Sequence, residues 1–231
     1  MNAALPLSES QIADLRHALL EWGRAHFRPF PWRQTHDPYR ILVAEILLHR
    51  TQIHQMQPVY EAFLQRFPDL SALAQASREE LQQTLYPLGL RWRVDSLHAM
   101  VQEIQQRFQG QIPESKADLL SLPGVSDYIA GAVCCFAWNE PEVLLDTNTV
   151  RVVGRLLGWQ VKDSSRRSSR FRQALELLLD RQNPRSFNYA LLDLAHLICL
   201  KRQPPRCAEC PLKQWCAFSQ TLTEAIYEHS R

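Results

Sequence analysis

The sequence predicts an all-α fold made of closely packed helices. Helix-capping patterns recur at short intervals along the whole chain, and only seven of the 231 residues are glycine. The single segment with the composition of a strand, Val143-Leu144-Leu145, is too short to build a sheet. These observations favour helices joined by short turns over any architecture that contains a sheet.

The length and composition are those of an ordinary globular chain. A chain of 231 residues is long enough for one large domain or two small ones, and 45% of its residues are hydrophobic. No run of about eighteen apolar residues is present, which excludes a membrane span. The first twenty residues lack the basic and then apolar layout of a secretory signal, so a cytoplasmic protein is expected. The net charge of +2 does not by itself demand an anionic partner.

The first helix is predicted from a capping box. Ser8 is followed three residues later by Gln11, which is the pattern of a helix N-terminus. Pro29 and Pro31 end this helix near Phe27, and the segment Phe-Pro-Trp-Arg at 30–33 is predicted to be an extended strip.

The second helix carries a carboxylate in an apolar setting. Asp37 is predicted to cap this helix and Pro38 to occupy its first turn. Glu45 lies in the middle of its apolar body, where a buried carboxylate is costly unless it is paired or functional. Periodicity alone favours the alternative that Glu45 is an exposed helix position.

Further helices follow in close succession. Ser77 and Glu80 form a second capping box, and the segment 162–172 is the most polar of the chain and is predicted to be a loop that enters a helix. The remaining helices are predicted at about 58–66, 94–108, 115–122, 127–138, 148–157, 168–179 and 187–200.

A glycine turn joins two of these helices. The segment Leu-Pro-Gly-Val-Ser at 122–126 uses Gly124 for a positive φ, and a helix begins directly after it. The first amide groups of a helix lack partners within the helix and lie at the positive end of its dipole. Such a turn can hold a phosphate of a nucleic-acid backbone without reading the base sequence. The motif alone is weak, because any helix pair joined by a glycine turn has it.

Asp146 is a candidate catalytic carboxylate beside this turn. It follows the apolar segment 143–145 and precedes Thr147-Asn148, which is a typical helix start. The local pattern supports equally well the alternative that Asp146 is an ordinary helix N-cap.

Four cysteines predict a metal centre near the C-terminus. Cys199, Cys207, Cys210 and Cys216 lie within eighteen residues, and four thiolates suit either a zinc ion or an iron–sulfur cluster. Spacing alone leaves both open. Basic residues surround the cysteines and predict contact with a duplex backbone; they are Lys201, Arg202, Arg206 and Lys213.

Together these segments resemble the helix–hairpin–helix DNA glycosylases of the endonuclease III and MutY type. The resemblance extends from about residue 30 to residue 216. The motifs that carry it are FPWR at 30–33, DPY and AEILLHRTQ within 37–52, LPGVSDYIAGA at 122–132, LLDTNTVRV at 144–152 and the four-cysteine loop. The sequence departs from the family at Ser126, where the hairpin usually has glycine, and in a first cysteine gap of seven residues instead of six.

The resemblance implies two helical domains with a DNA cleft between them. One is a six-helix barrel at 30–140 that contains the helix–hairpin–helix motif at about 115–137. The other comprises 1–29 and 141–231, and it carries a 4Fe–4S cluster on the four cysteines, with zinc as the alternative. The resemblance further assigns catalysis to Asp146 and Glu45, and DNA contacts to His49, Arg50, Gln52, Leu122, Gly124, Ser126 and Asn148. Arg50 would fill the space that a flipped nucleotide leaves.

Tyr128 indicates which branch of the family this sequence is most similar to. The bifunctional endonuclease III branch has a lysine here that forms a Schiff base, which a tyrosine cannot form. No lysine occurs between Lys116 and Lys162. The expectation is therefore a monofunctional, monomeric glycosylase without β-lyase activity, similar to the thymine-DNA mismatch glycosylases, with Tyr128 shaping the pocket. Its substrate would be thymine or uracil opposite guanine in double-stranded DNA.

Two alternatives remain. Glu45 favours an adenine DNA glycosylase acting opposite guanine or 8-oxoguanine. Tyr128, and the absence of room after Cys216 for the domain that reads 8-oxoguanine, oppose it. The other alternative is a non-catalytic protein that only binds damaged DNA. The presence of both Glu45 and Asp146 argues against this second alternative.

Overall fold

The computed structural model describes residues 5–89 and 91–221. Within these ranges the regular structure is helical, in agreement with the predicted all-α class. The α-helices are α1 (Glu9–Ala25), α2 (Pro38–Leu48), α3 (Ile53–Arg66), α4 (Leu70–Ala74), α5 (Arg78–Leu85), α6 (Arg91–Phe108), α7 (Lys116–Leu120), α8 (Asp127–Trp138), α9 (Thr147–Leu157), α10 (Ser169–Leu178) and α11 (Pro184–Leu197). None of the helices described is long and apolar enough to cross a membrane.

The chain divides into two compact units. The middle unit spans residues 29–140 and contains α2 to α8. The terminal unit combines residues 1–28 with residues 141–231, and it contains α1 and α9 to α11. The first four and the last ten residues of the predicted terminal domain lie outside the described residues.

The terminal unit is built on the close contact of α1 with α11. A Cβ atom added to Gly23 would lie 2.5 Å from the Cβ of Ala190, so only glycine permits this approach of the two helices. Just after α1, the Arg28 guanidinium donates to the buried carboxylate of Asp193 on α11 at 2.6 Å. Apolar side chains of α9 and α10, including Val153 and Phe171, complete the core of this unit.

The middle unit is organised around α2. This helix packs against α3 and α8, and its residues from Ile41 to Leu47 are all buried. Asp37 caps it as predicted, since its carboxylate accepts from the Tyr39 N–H at 2.9 Å. The Tyr39 hydroxyl donates to the carbonyl of Phe67 at 2.7 Å. The middle of α2 is therefore enclosed by protein.

Three local predictions differ from the structure. The helix predicted at 58–66 begins at Ile53, and Pro58 lies inside it. The segment 30–33 is not extended, because Pro31–Arg33 form a 3-10 turn with Trp32 buried. The segment 162–172, predicted to be a loop that enters a helix, does enter α10, and the one difference is a 3-10 turn at Asp163–Arg167.

Candidate active site and nucleic-acid interface

The glycine turn lies between α7 and α8, as predicted. The Val125 N–H donates to the carbonyl of Leu122 at 3.2 Å, and Gly124 adopts a φ of 79°. Leu122 and Val125 are buried while Gly124 is exposed, so side chains anchor the turn and the glycine backbone faces outward. A Cβ atom at Gly124 would lie 2.8 Å from the Cβ of Ser96, so conformation and space both require glycine.

The position of Ser126 shows what serine does where the family's hairpin usually has glycine. It is the N-cap of α8, and its hydroxyl accepts from the Ile129 N–H at 3.3 Å. A serine hydroxyl therefore satisfies one amide at the start of α8 without adding charge. The cap itself is neutral, and the carboxylate of the next residue, Asp127, is paired with the Lys116 ammonium at 3.3 Å, so little net negative charge lies at the positive end of the α8 dipole.

Glu45 is buried in the middle unit. Only 6% of its surface is exposed, so the alternative of an exposed helix position is wrong. Tyr128 is half-buried in the first turn of α8, the helix that packs against α2. The same pair of packed helices thus carries two of the three predicted catalytic side chains.

Asp146 is held rigidly at the start of α9. Its Oδ1 accepts from the N–H groups of Asn148 and Thr149, at 2.8 and 2.7 Å. Its Oδ2 accepts from the Asn148 side-chain amide at 2.7 Å. The N-cap alternative is therefore correct as a description of the geometry. It does not exclude catalysis, because a half-buried carboxylate held by three donors keeps a fixed orientation.

Arg151 fixes the orientation of Asn148. Its guanidinium donates to Asn148 Oδ1 at 3.1 Å, so the amide nitrogen of Asn148 must face Asp146. The same guanidinium donates to the carbonyls of Cys199 and Ala195, each at 2.9 Å. Burial lowers the pKa of Arg151 from its ordinary value. This hydrogen-bonded chain connects the candidate catalytic carboxylate with the start of the cysteine loop, within the terminal unit.

The turn between α2 and α3 carries three predicted DNA contacts. His49, Arg50 and Gln52 are all exposed there. Arg50 has a φ of 61°, a left-handed conformation that few residues other than glycine adopt. The turn thus displays three polar side chains on an unusual backbone.

The four predicted metal ligands line one cavity in the terminal unit. Cys199, Cys207, Cys210 and Cys216 are half-buried, and the rest of the cavity wall is largely apolar. Burial raises the pKa of the Cys210 thiol to about 12. No group of three or more His, Cys, Asp or Glu side chains in the described ranges is arranged to hold a metal ion.

The donor type of this cavity fits a group bound by four thiolates, although the thiols are not arranged around an ion. All of its sulfur donors are cysteines, the donor type that both a 4Fe–4S cluster and a structural zinc ion accept. The Arg155 guanidinium donates to Cys199 Sγ at 3.2 Å and to the carbonyl of Leu200 at 2.8 Å. A cation at hydrogen-bond distance from a cysteine sulfur stabilises thiolate charge.

The sequence prediction missed the arginines that support these sites. Arg151 and Arg155 lie three and seven residues after Asn148, on the face of α9 that meets the cysteine loop. The spacing of three and four residues between Asn148, Arg151 and Arg155 places them on one side of α9, and this pattern in the sequence could have indicated the contact. Arg93, fully buried in α6, was also missed, since a charged residue among apolar neighbours gives no pattern of its own.

Comparison with known proteins connects these features to one family. Residues 43–177 match the HhH-GPD superfamily of base excision DNA repair proteins. The matched segment contains Glu45, the hairpin, Tyr128 and Asp146.

Relatives match nearly the whole chain. A thymine-DNA glycosylase of Aeropyrum pernix is 41% identical over 92% of this chain and 97% of its own length. A thymine/uracil-DNA glycosylase of Pyrobaculum aerophilum is 37% identical over 89% of this chain and 91% of its own. The solved structure of a thermostable thymine-DNA glycosylase superimposes with a TM-score of 0.85 at 27% identity, covering 91% of this chain and 97% of that one.

Proposed function

Because the chain belongs to the HhH-GPD superfamily of base excision DNA repair proteins, we propose that it is a DNA glycosylase that removes thymine or uracil opposite guanine. The observation that carries this proposal is the match to thymine and uracil glycosylases over about nine tenths of both chains. The substrate is a base in duplex DNA, which must leave the stack before its glycosidic bond can be reached. Flipping is easiest at a mismatch, where the pairing energy is lowest.

Asp146 stabilises the charge that develops on the sugar. Cleavage of the bond between C1′ and N1 leaves the electron pair on the departing base and positive charge on the sugar ring. A carboxylate in a fixed position stabilises that oxocarbenium-like state, and its second role is to orient the water whose oxygen bonds to C1′. The three hydrogen bonds that hold Asp146 support this assignment, because they restrain the carboxylate before the substrate arrives.

Glu45 and Tyr128 complete the proposed catalytic set. Buried in α2, Glu45 transfers a proton to the departing base or positions the water, roles that suit a carboxyl group in an apolar setting. Tyr128 shapes the pocket for a pyrimidine. A phenol cannot form a Schiff base with the sugar, so the reaction ends with hydrolysis and leaves the strand intact.

Trapping with borohydride tests the absence of lyase activity. Reduction of an enzyme–DNA Schiff base would leave a covalent adduct of higher mass. We expect none with the wild-type chain on a duplex whose base it has removed. The matched Tyr128→Lys variant supplies the missing amine and serves as the positive control. An adduct formed by the wild-type chain would refute monofunctional chemistry.

The hairpin and the turn at 48–52 form the proposed DNA contacts. The outward backbone at Gly124 and the neutral Ser126 cap suit a phosphate, which is bound without reference to sequence. Arg50 fills the space that the flipped nucleotide vacates, and His49 and Gln52 contact the neighbouring bases. Asn148, bonded to Asp146 on one side, contributes to the DNA contacts from the start of α9.

The four cysteines are proposed to hold a 4Fe–4S cluster. A cluster bound there would brace the loop whose basic residues contact the DNA backbone. Purified protein should be brown, with a broad visible absorbance that bleaches on oxidation. Cys210→Ser should lose the colour, whereas Cys134→Ser, at a buried cysteine outside the loop, should keep it. A colourless wild-type protein that contains one zinc ion would refute the cluster.

A lesion panel tests the substrate. Duplexes that contain T·G, U·G, A·G, A·8-oxoguanine or thymine glycol are incubated with excess enzyme, and base release is measured. We expect release from T·G and U·G to exceed release from the others. Faster release of adenine would make the protein an adenine glycosylase, as the buried Glu45 permits. Tight binding with no release from any duplex would make it a damage-binding protein.

A further inference from the structure

From the hydrogen bonds of the buried Arg93, we infer that this residue positions the turn that carries Arg50, and so controls how well the protein fills the gap beside a flipped nucleotide. The inference rests on the proposed function, since it concerns the same DNA contact. Arg93 belongs to α6, and none of its surface is exposed. It is therefore a positioning residue that cannot itself contact DNA.

Arg93 binds three acceptors at the end of α2. One guanidinium nitrogen donates to the carbonyl of Leu47 at 3.0 Å. The other donates to the carbonyl of His49 and, at 2.8 Å, to the hydroxyl of Thr51. The last carbonyls of a helix have no partner within it, so Arg93 satisfies groups that water would otherwise have to reach. The planar guanidinium holds its two donor nitrogens in fixed positions, whereas lysine would have a single donor nitrogen.

These bonds flank Arg50 on both sides. Arg50 has a φ of 61°, and a left-handed conformation at such a residue costs about 1 kcal/mol or more. Such a conformation persists only where the surroundings hold it. The Thr51 N–H donates to the carbonyl of Leu48 at 3.0 Å, which closes the turn. Arg93 fixes the residue before Arg50 and the residue after it, so the exposed side chain leaves the turn in one direction.

The charge on Arg93 is retained inside the protein. Burial lowers its pKa to about 10, which leaves the guanidinium protonated at neutral pH. A protonated guanidinium forms charge-assisted hydrogen bonds, which are stronger than those between neutral groups. Lysine at this position would keep the charge and lose the fork, which makes Arg93→Lys the informative substitution.

A double-mutant cycle between Arg93 and Arg50 tests this inference. The measured quantity is the Kd for a duplex that carries a tetrahydrofuran abasic analogue opposite guanine, which reports gap filling without any chemistry. We expect Arg93→Lys to weaken binding about tenfold in the wild-type background and less than about twofold in the Arg50→Ala background. Equal weakening in both backgrounds would overturn the inference, because a merely structural role does not depend on the Arg50 side chain.

If Arg93→Lys is much less stable to heat than the wild-type chain, a milder variant tests the same inference. Thr51→Val removes one acceptor of Arg93 at a half-buried position and should weaken binding by a smaller factor, again only when Arg50 is present. If Thr51→Val weakened duplex binding by the same factor in the Arg50→Ala background, the inference would be contradicted. Arg78→Lys is the matched control, because it alters an exposed arginine that is paired with Asp95, a residue of α6. It should leave the Kd unchanged both in the wild-type background and in the Arg50→Ala background.

Base release from a T·G duplex by the wild-type chain separates the two proposals. Active enzyme without coupling between Arg93 and Arg50 would refute the positioning role alone. Coupling in an enzyme that releases no base would refute the glycosylase proposal and leave the positioning role intact.

Discussion

Helices α8 and α9 begin with the same local structure and differ in the charge of the cap residue. Each follows an N-cap residue in extended conformation whose side-chain oxygen accepts from the N–H three residues on. At α8 the cap is Ser126, which is neutral, exposed and bonded to one amide. At α9 the cap is Asp146, which is charged, half-buried and bonded to three donors.

The difference determines what each helix end can bind. A neutral cap leaves the positive end of the dipole available to an external anion such as a DNA phosphate. A carboxylate cap compensates the dipole from within the protein, and the helix then orients the carboxylate. Two similar helix starts therefore suit two different tasks, backbone binding at α8 and chemistry at α9. The following predictions test that division of tasks.

Asp146→Asn should have the largest effect. Asparagine caps a helix about as well as aspartate, so the variant should fold and bind a mismatched duplex normally. The single-turnover rate of base release should fall about 10²- to 10³-fold, because the charge that stabilises the transition state is gone. The matched control is Asp69→Asn, which alters the aspartate cap of α4 and should leave the rate unchanged. A near-normal rate of base release in Asp146→Asn would show that the carboxylate at the start of α9 is not catalytic.

Gly124→Ala should be the most damaging change in the hairpin. The new Cβ would lie 2.8 Å from Ser96 in a turn whose φ is 79°. We expect a loss of about 2 kcal/mol in the free energy of unfolding, measured by denaturant titration, together with weaker duplex binding. Gly89→Ala is the control, since Gly89 has a φ of 68° and a Cβ atom added there would meet no atom of a non-neighbouring residue within 4 Å. Gly89→Ala should lower the free energy of unfolding only by the cost of the left-handed conformation, about 1 kcal/mol. Equal losses would show that contact with Ser96 is unimportant.

Asn148→Ala should reduce catalysis to a smaller extent than Asp146→Asn. It removes the 2.7 Å bond to Asp146 Oδ2 and leaves both backbone bonds to Oδ1 in place. Loss of one hydrogen bond to a charged group is worth about 1.5 kcal/mol, so the single-turnover rate should fall about tenfold. Asn183→Ala removes a similar bond to Asp180 at an exposed site and is the control. An unchanged rate in Asn148→Ala would mean that the backbone alone orients Asp146.

Ser126→Asp should place an unpaired carboxylate at the cap of α8, with the smallest effect of the four predictions. Aspartate caps as well as serine, so stability should be kept. A carboxylate near a phosphate repels it by about 1 kcal/mol at 4 Å in water, and duplex affinity should fall about fivefold at low salt. The loss should shrink as salt rises. Ser8→Asp, at the cap of α1, is the control. Unchanged affinity would mean that phosphate does not bind at α8.

The helices were predictable because their signals are local. Capping residues such as Ser8, Asp37 and Ser77 mark helix starts in the sequence, and the structure has helices directly after each of them. The predicted start of α3 at residue 58 was wrong, because the helix begins at Ile53 and Pro58 lies inside it. Proline is unfavourable inside a helix, so no local pattern predicts that a helix continues through it. Local signals therefore fixed which segments are helical better than they fixed the ends of the helices.

The cysteine cluster was visible in the sequence itself, whereas catalytic roles for Glu45 and Tyr128 could be predicted only through the family resemblance. Periodicity favoured exposure for Glu45, which is buried, because a single residue on a largely apolar helix gives no information about its neighbours in space. The contacts of Arg93 and Arg151 join residues more than forty positions apart. No local pattern encodes such distances. The metal content of the cysteine loop, the absence of lyase activity and the monomeric state stay predictions.

The division between chemistry at α9 and phosphate binding at α8 can be tested by measuring how the single-turnover rate on a T·G duplex depends on enzyme concentration. For each chain this dependence gives a plateau rate, which reports chemistry, and a half-saturating concentration, which reports binding. We predict that Asp146→Asn lowers the plateau and keeps the half-saturating concentration, and that Ser126→Asp raises the half-saturating concentration and keeps the plateau. A wild-type chain that releases no thymine, or two variants that change the same parameter, would contradict the account.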